Sequence, residues 1–197
     1  MPTLLRDDDS HTYTLDGVVI PSVTQILAPF KSFDGIPEAI LNHKREVGTA
    51  VHYACELDVL GTLDEATVHE EVAGYLAGFR LWRAQGGFEI VETESYVHHP
   101  RLRYAGQLDL IGLRTAQRDR WLIDIKTAAT HSDLWRLQTA GYLACRADAG
   151  ALKRAVLQLM PTGKYRWHPY DRPEHAADAH AWVAAASLHH WMKANKP

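Results

Sequence analysis

Three charged residues lie inside two apolar segments, where the burial of a charge is costly. The stretch YAGQLDLIGLRTAQRDRWLIDIKT, residues 104–127, contains Asp109, Asp124 and Lys126 among Leu, Ile and Trp. A buried charge without a partner costs several kcal/mol, so groups of this kind pair with one another or hold a metal ion. Asp109, Asp124 and Lys126 are therefore expected to have such partners in the folded chain.

The alternation of side chains along a strand places two of these charges on one face. In WLIDIK, Asp124 and Lys126 point to one side, and Ile123 and Ile125 point to the other side, which must be core. If the preceding strand pairs with this one, Asp109 converges with Asp124 near one end of the sheet. Two carboxylates repel each other unless a cation lies between them, and carboxylate oxygens with water suit Mg²⁺ or Mn²⁺. The alternative is a buried Asp–Lys ion pair without chemistry, which the third charge makes the weaker interpretation.

The elements that must position these residues can be predicted from turn signals and periodicity. Asp16-Gly17 predicts the turn of an N-terminal hairpin, and Ser22 predicts the start of a short helix. Gly48 suggests two helices that meet within residues 37–61. The pattern further predicts helices over 65–85, 132–147 and 173–194, and strands over 88–98, 103–113, 120–126, 151–160 and 164–170. This order is typical of a mixed α/β fold.

Composition excludes several classes of protein and leaves others open. The 197 residues are 46% hydrophobic and carry a net charge of −3, so DNA binding would need a local basic patch. Two cysteines, Cys55 and Cys145, cannot supply the four thiolates of an iron–sulfur cluster, and their apolar contexts suit a reducing cytosol. The start of the chain resembles no signal peptide, no apolar run reaches about 20 residues, and the 12 His form no zinc motif. We expect a cytoplasmic protein without zinc and without a membrane partner.

GQLDLIG followed by LIDIKT resembles the signature of the PD-(D/E)XK nuclease superfamily, in its RecB-like and phage exonuclease branch. GTAVH (48–52), QTAGY (138–142) and the opening HTYTLDGVVIPSVTQIL resemble three further elements of that branch. The ordered set spans roughly residues 11 to 145. The resemblance implies a restriction-endonuclease-like core, with a mixed central β-sheet flanked by helices and an N-terminal β-hairpin. It also implies one domain over 1–197, divided into 1–30 (hairpin and short helix), 48–171 (catalytic core) and 173–197 (C-terminal helix).

The resemblance assigns a metal site and a catalytic lysine. It makes His52, Asp109, Asp124 and the backbone carbonyl of Ile125 ligands of Mg²⁺ or Mn²⁺. Lys126 would orient the attacking water or offset the charge on the phosphate.

The roles of several residues near these metal ligands and Lys126 have more than one interpretation. Gln138 and Tyr142 would face the site from the next helix as catalytic residues, in contact with a DNA phosphate or with Lys126, and the alternative is an ordinary polar helix edge. Glu94 could join the metal ligands, although Glu92 shares its strand face and a solvated face is the alternative. Glu56, one helical turn after His52, could orient the imidazole.

Basic residues near these elements could form a track for DNA phosphates. Arg101, Arg103, Arg136 and Lys164 are the first candidates, and the remainder are Lys44, Arg45 and Arg166.

The sequence therefore predicts a metal-dependent deoxyribonuclease, most simply an exonuclease of phage or prophage type in DNA recombination or repair. Its partners would be DNA, a single-strand annealing protein and, as in ring-forming relatives, further copies of itself. One alternative is a non-catalytic DNA-binding or assembly subunit that keeps the fold. A metal phosphohydrolase acting on nucleotides is a third reading, but the chain shows neither a Gly-rich phosphate loop nor a His-Asp pair of that kind. The polarity, the strand preference and the choice between exonuclease and endonuclease stay open at this point.

Overall fold

The computed structural model of the protein describes residues 3–7, 10, 12–32, 35–170 and 172–195. Those parts of the predicted N-terminal, core and C-terminal segments that fall on residues 1–2, 8–9, 11, 171 and 196–197 lie outside the described residues.

A small antiparallel sheet opens the chain. It contains β1 (Leu4–Asp7), β2 (Thr12–Leu15) and β3 (Val18–Ile20) in that order. The predicted turn is present, with Asp16 at φ 51° and Gly17 at φ 77°, values that suit a tight hairpin. Helix α1 (Val23–Leu27) follows, and Ser22 caps it in a reciprocal box with Gln25.

Five strands form the central sheet in sequential order, β4-β5-β6-β7-β8. All neighbours are antiparallel except β6 and β7, which are parallel. A parallel pair needs a long crossover, and α4 lies in that connection. The strands are β4 (Phe88–His99), β5 (Tyr104–Arg114), β6 (Asp119–Lys126), β7 (Leu152–Leu159) and β8 (Tyr165–Tyr170), and the remaining helices are α2 (Glu38–Leu60), α3 (Glu70–Gly86), α4 (Leu134–Ala144) and α5 (Arg172–Ala194).

Helices cover both faces of this sheet, which explains the apolar character of its inner strands. On one face α2 and α3 pack against a core that includes Ile123 and Ile125, as the alternation in WLIDIK predicts. On the other face α1, α4 and α5 pack against residues such as Leu108 and Leu122. The site residues of β6 therefore lie between two helical layers, at the end of the strand.

Two helix predictions need correction. Residues 38–60 form one continuous helix rather than two helices that meet at Gly48. A helical glycine costs only about 1 kcal/mol, which the packing of a long helix can offset. The predicted helix 65–85 is a 3-10 turn (Glu65–Thr67) followed by α3, whose N-terminus the His69 side chain caps; Gly87, at φ 62°, ends it as expected.

The predicted fold class is confirmed: a mixed central sheet with helices on both faces and an N-terminal antiparallel hairpin sheet. Helix α4 is shorter than the predicted 132–147, and Ser132 Oγ accepts the N–H of Leu134 at its start. Within the described ranges, no helix has both the length and the apolar composition needed to cross a membrane.

Candidate metal and active site

Strands β5 and β6 separate next to Asp109, and this opening forms the centre of the site. The backbone ladder pairs Leu110 with Ile123 and goes no further toward the end of β6. Beyond it, Asp109 Oδ2 accepts the N–H of Ile125 at 2.5 Å, so a carboxylate replaces the next backbone partner. Because a strand residue directs its N–H and C=O to the same side, the Ile125 carbonyl also faces β5. Asp109 and the Ile125 carbonyl are thus directed into one opening.

Three side chains from three elements converge there as a group able to hold a metal ion. His52 of α2, Glu94 of β4 and Asp109 of β5 each offer one ligand atom, and these atoms all lie within 4.8 Å of one another. His52 Nδ1 lies 3.5 Å from Asp109 Oδ1 and 3.8 Å from Glu94 Oε1. The structure therefore brings together three of the side chains that the sequence nominates as metal ligands.

The backbone of Glu94 has an unusual conformation that accompanies this placement. Its φ is 48°, in the left-handed region that non-glycine residues rarely adopt, and a β-bulge lies just before it, between Ile90 and Glu92. Such a backbone costs on the order of 1–3 kcal/mol and persists only where the surroundings impose it. Glu94 also occurs opposite Asp109, since Thr93 pairs with Leu110 and Ser95 with Leu108.

The protonation of these groups follows from their mutual contacts. Burial lowers the pKa of His52, but the carboxylates of Asp109 and Glu94 outweigh burial and raise that pKa to about 10. Burial raises the pKa of Glu94, against the effect of His52. Burial also acts to raise the pKa of Asp109, yet His52 and Lys126 bring it below its ordinary value. A cationic imidazole thus lies between two carboxylates, where a metal ion would supply the same compensation.

A second set joins Asp124 to the catalytic-lysine candidate. Asp124 Oδ2 lies 2.5 Å from Lys126 Nζ, and Asp124 Oδ1 accepts a hydrogen bond of 3.1 Å from Gln138 Nε2. Gln138 Nε2 also donates to Tyr142 Oη at 3.1 Å. Burial raises the pKa of Asp124 to about 6, although Lys126 opposes this. The Asp124 carboxylate therefore pairs with Lys126 and lies outside the group of three ligand atoms.

Two glycines of the quoted motifs lie against the site, and one of them allows a close approach that a Cβ would prevent. A Cβ on Gly106 would lie 2.5 Å from Tyr142 Cε1, so only glycine lets the tyrosine ring rest on β5 three residues before Asp109. Gly48 of α2 lies against Thr127, which directly follows Lys126, and a Cβ there would be 3.4 Å from Thr127 Oγ1. Packing therefore requires the glycine of GQLD, whereas a Cβ at the glycine of GTAVH would make an ordinary van der Waals contact.

The two other acids near the site, Glu92 and Glu56, lie outside the ligand group. Arg146 holds Glu92 through two hydrogen bonds of 2.7 and 2.8 Å, so of the two glutamates on β4 only Glu94 joins the ligand group. The carboxylates that contact the His52 imidazole belong to Asp109 and Glu94. Glu56 acts through its charge on Glu94, whose pKa it raises slightly, and makes no contact with His52 among the described residues.

The candidate DNA contacts divide into two groups. Arg101 and Arg103 lie in the β4–β5 turn and Lys164 lies in the β7–β8 turn, both at the end of the sheet where β6 ends in Lys126. Arg101 and Lys164 are exposed, whereas Arg103 is half-buried and donates to the Leu15 carbonyl at 3.4 Å. Arg136 is held by Asp178 at 3.0 Å, so its guanidinium is already engaged.

Two residues near the site were missed in the sequence. Gln158 of β7 lies opposite Lys126 and is 1% exposed; its Nε2 donates to the carbonyls of Ala128 (2.7 Å) and Ala129 (3.2 Å). A polar residue inside AVLQLM is the signal that could have identified it. Lys31, after α1, gave no such signal; burial lowers its pKa and the nearby charge of Lys126 lowers it further.

No protein-family model matches the chain, and no curated protein matches it significantly. Solved structures that are similar to this chain include the following three. LHK-Exo in complex with dAMP is 13% identical, with 86% of this chain and 89% of that chain covered and a TM-score of 0.43. LHK-Exo, an alkaline exonuclease from Laribacter hongkongensis, matches in a second structure at 12% identity, with 87% and 90% covered and a TM-score of 0.40. SSO0001 matches at 16% identity, with 82% and 83% covered and a TM-score of 0.31. Because these TM-scores are low, the proposal below rests on the side chains of the site.

Proposed function

We propose that this protein is a divalent-metal-dependent deoxyribonuclease that hydrolyses DNA phosphodiester bonds. The observation that carries the proposal is the convergence of His52, Glu94 and Asp109 at the opening from which Lys126 extends beside buried Asp124. The finer proposal, which the sequence motifs support, is a cytoplasmic exonuclease of phage or prophage type in recombination or repair. Contacts with an annealing protein and with further copies of the chain belong to that finer proposal.

The donor set fits a hard divalent cation. Carboxylate oxygens and a strand carbonyl suit Mg²⁺, and an imidazole shifts the preference toward Mn²⁺. Three carboxylates, those of Glu94, Asp109 and Asp124, surround the opening with Lys126 as their permanent cation. His52 must lose its proton to act as a ligand, so binding of the metal would release a proton from the site.

The chain's own residues supply the remaining chemistry. A bound divalent cation would stabilise negative charge on the scissile phosphate and lower the pKa of a water molecule. Lys126 would donate to that phosphate or orient the water, since its ammonium is a compact point donor. Asp124 holds the ammonium in place, and Gln138 holds Asp124. Arg101, Arg103 and Lys164, at the same end of the sheet, would contact DNA phosphates, with Arg136 contributing only if it leaves Asp178.

The proposal is tested by cleavage of labelled linear and circular DNA with Mg²⁺, with Mn²⁺ and with EDTA. We expect EDTA to abolish cutting, and Asp109→Asn and Lys126→Met to lower the rate by at least about 10²-fold. Lys153→Met is the matched control, because Lys153 pairs with Asp119 at 2.6 Å away from the site. Cleavage of linear but not circular DNA would identify an exonuclease.

Other outcomes separate the alternatives. Metal-dependent cutting that survives both substitutions would contradict the assignment of the site. DNA binding by the wild type without cutting under any metal would favour the non-catalytic subunit that keeps the fold.

A further inference from the structure

A cluster of aromatic rings lies beyond Lys126, beside the loop that joins β6 to α4. His131 of this loop lies 4.9 Å from the Trp135 ring of α4 and 4.9 Å from the His168 ring of β8, measured between centroids. The rings of Trp135 and His168 are 5.9 Å apart. Trp135 is buried, His168 is half-buried and His131 is exposed. The ring planes are tilted or edge-on to one another, at 67°, 49° and 65°, and the His131 ring is the one open to solvent.

The strand register places this cluster on the same face of the sheet as the site. Lys126 lies opposite Gln158 of β7, and Gln158 lies opposite Arg166 of β8. Residues that pair across strands point to the same face, so Lys126 and Arg166 face the same side. They are separated by two strand spacings, roughly 10 Å. Nucleotides next to the scissile phosphate would pass within reach of Arg166.

The loop that carries His131 is held in place rather than left free. Gln158 fixes its first part through the carbonyls of Ala128 and Ala129, and the same side chain contacts His168 Nε2 at 3.0 Å through Oε1. The last part is fixed by Trp135, which packs against Val156 and Tyr170. A prepositioned ring loses little conformational entropy when a ligand stacks on it.

The charges around the cluster of rings suit a nucleotide. Arg166 is exposed and precedes His168 by two positions, so both side chains share a face, while Trp167 points to the opposite core. Burial lowers the pKa of His168, and the nearby charges of His131 and Arg166 lower it further. A π-face next to a guanidinium is the combination that single-stranded nucleic acid binds through stacking and charge.

We propose that His131 stacks on a nucleobase of the DNA strand that passes Lys126, and that Arg166 contacts a phosphate of the same strand. This subsite rests on the proposed function, because it extends the path of a DNA substrate from the site. It binds any base, since stacking needs only a π-face.

The test measures binding of short single-stranded oligonucleotides in EDTA, with a single abasic position moved along the strand. We expect one abasic position to weaken wild-type binding by about 5- to 150-fold, the usual range for loss of one stacked base. His131→Ala should lose a similar factor and become insensitive to that abasic position. His131→Phe, which keeps a ring, should retain both the affinity and the sensitivity. His180→Ala, an exposed histidine on α5, is the matched control.

Arg166→Gln provides a second measurement on the same oligonucleotides. It should weaken binding at all abasic positions alike and reduce the slope of log affinity against log salt by about one phosphate contact. Unchanged binding by His131→Ala, or the same abasic profile in this variant and the wild type, would overturn the subsite. Because these measurements need no cleavage, absence of cutting with an intact abasic profile would reject the nuclease and keep the subsite. Normal cutting by the wild type, with no effect of His131→Ala on DNA binding, would reject the subsite and keep the nuclease.

Discussion

The site cluster and the Arg154 cluster are two groups of buried charge that both border helix α4. We define the site cluster as His52, Glu94, Asp109, Asp124 and Lys126, and the Arg154 cluster as Arg136, Arg154, Thr139, Glu174 and Asp178. Adjacent residues of α4 touch them, since Gln138 donates to Asp124 and Thr139 accepts from Arg154. The two clusters therefore share burial and a helix, and they differ in how their charges are compensated.

In the Arg154 cluster, guanidinium groups meet both oxygens of the buried carboxylate. Arg154 is fully buried and donates to Asp178 Oδ2 at 2.6 Å, to the Arg136 carbonyl at 2.8 Å and to Thr139 Oγ1 at 3.1 Å. Arg136 donates to Asp178 Oδ1 at 3.0 Å. Two cations thus face the two carboxylates of Asp178 and Glu174. This arrangement joins α5 to α4 and β7, and it has no charge left to offer a ligand.

The site cluster, taken by itself, has an excess of carboxylate. Its members include three carboxylates, those of Glu94, Asp109 and Asp124, and one permanent cation, Lys126; a second positive charge within the cluster exists only while His52 is protonated. The carboxylates converge at a gap between strands, where another cation would improve the compensation. The contrast teaches that burial of charge alone does not mark a site. A site is marked by the sign of its uncompensated charge together with an opening that a ligand can enter.

The largest effect on stability should come from Arg154→Leu. Removal of one partner of a buried ion pair leaves Asp178 uncompensated, and we expect the free energy of unfolding to fall by about 3–5 kcal/mol. Urea unfolding measures this change. Cutting per folded molecule, assayed well below the melting temperature, should stay near the wild-type rate, because the site cluster is untouched.

The double variant Arg154→Met/Asp178→Leu controls for this effect. Apolar replacement of both partners is often neutral, so most of the lost stability should return. A double variant as unstable as Arg154→Leu would show that lost packing, and not the unpaired Asp178, causes the destabilisation.

Sequence reasoning reached the site cluster and not the Arg154 cluster for a physical reason. Alternation within WLIDIK fixes the relative directions of Asp124, Lys126 and Ile125, because that pattern is local. Arg154 follows Lys153 in ALKRAVLQLM, where two basic residues at the start of a strand resemble a solvated edge. Its partner Asp178 is 24 residues away on α5, and only tertiary packing shows that they meet. The unbroken helix through Gly48 depends in the same way on contacts that are distant in sequence.

The next largest effect on stability should come from Gly106→Ala, which tests whether the site cluster depends on the close packing of Tyr142 against β5. The added Cβ would lie 2.5 Å from Tyr142 Cε1, and such overpacking typically costs about 1–3 kcal/mol of stability. The displaced ring should also disturb Gln138, which donates to both Tyr142 and Asp124. We therefore expect a clear fall in the rate of cutting per folded molecule with only a moderate loss of stability. Arg154→Leu should show the opposite, a large loss of stability with a nearly normal rate.

Gly150→Ala is the matched control for that substitution. No atom lies within 4 Å of a Cβ at Gly150, and its φ is not positive, so stability should stay within about 0.5 kcal/mol of the wild type. If Gly106→Ala melts and cuts like Gly150→Ala, the close packing of Tyr142 on β5 is not needed for the site.

The smallest effect on stability should come from Glu94→Gln, which should instead weaken the response to metal. Burial raises the folded-state pKa of Glu94, so the ionised form disfavours folding above that pKa and the neutral amide removes this cost. At pH 8 without metal we expect the variant to be no less stable than the wild type. Added Mn²⁺ should raise its melting temperature less than that of the wild type, because one ligand oxygen is lost.

Glu92→Gln, two positions earlier on β4, makes the matched comparison. Glu92 is half-exposed and paired with Arg146, and loss of such a pair costs at most about 1 kcal/mol. This variant should therefore lose a little stability and keep the full response to Mn²⁺. A drop in metal-free stability of more than about 1 kcal/mol for Glu94→Gln, with an unchanged response to Mn²⁺, would place Glu94 with the structural charges of the Arg154 cluster. We expect Glu94→Gln to keep its stability and lose part of its response to Mn²⁺, and Glu92→Gln to lose a little stability and keep that response. This result would show that two neighbouring glutamates on one strand have different roles.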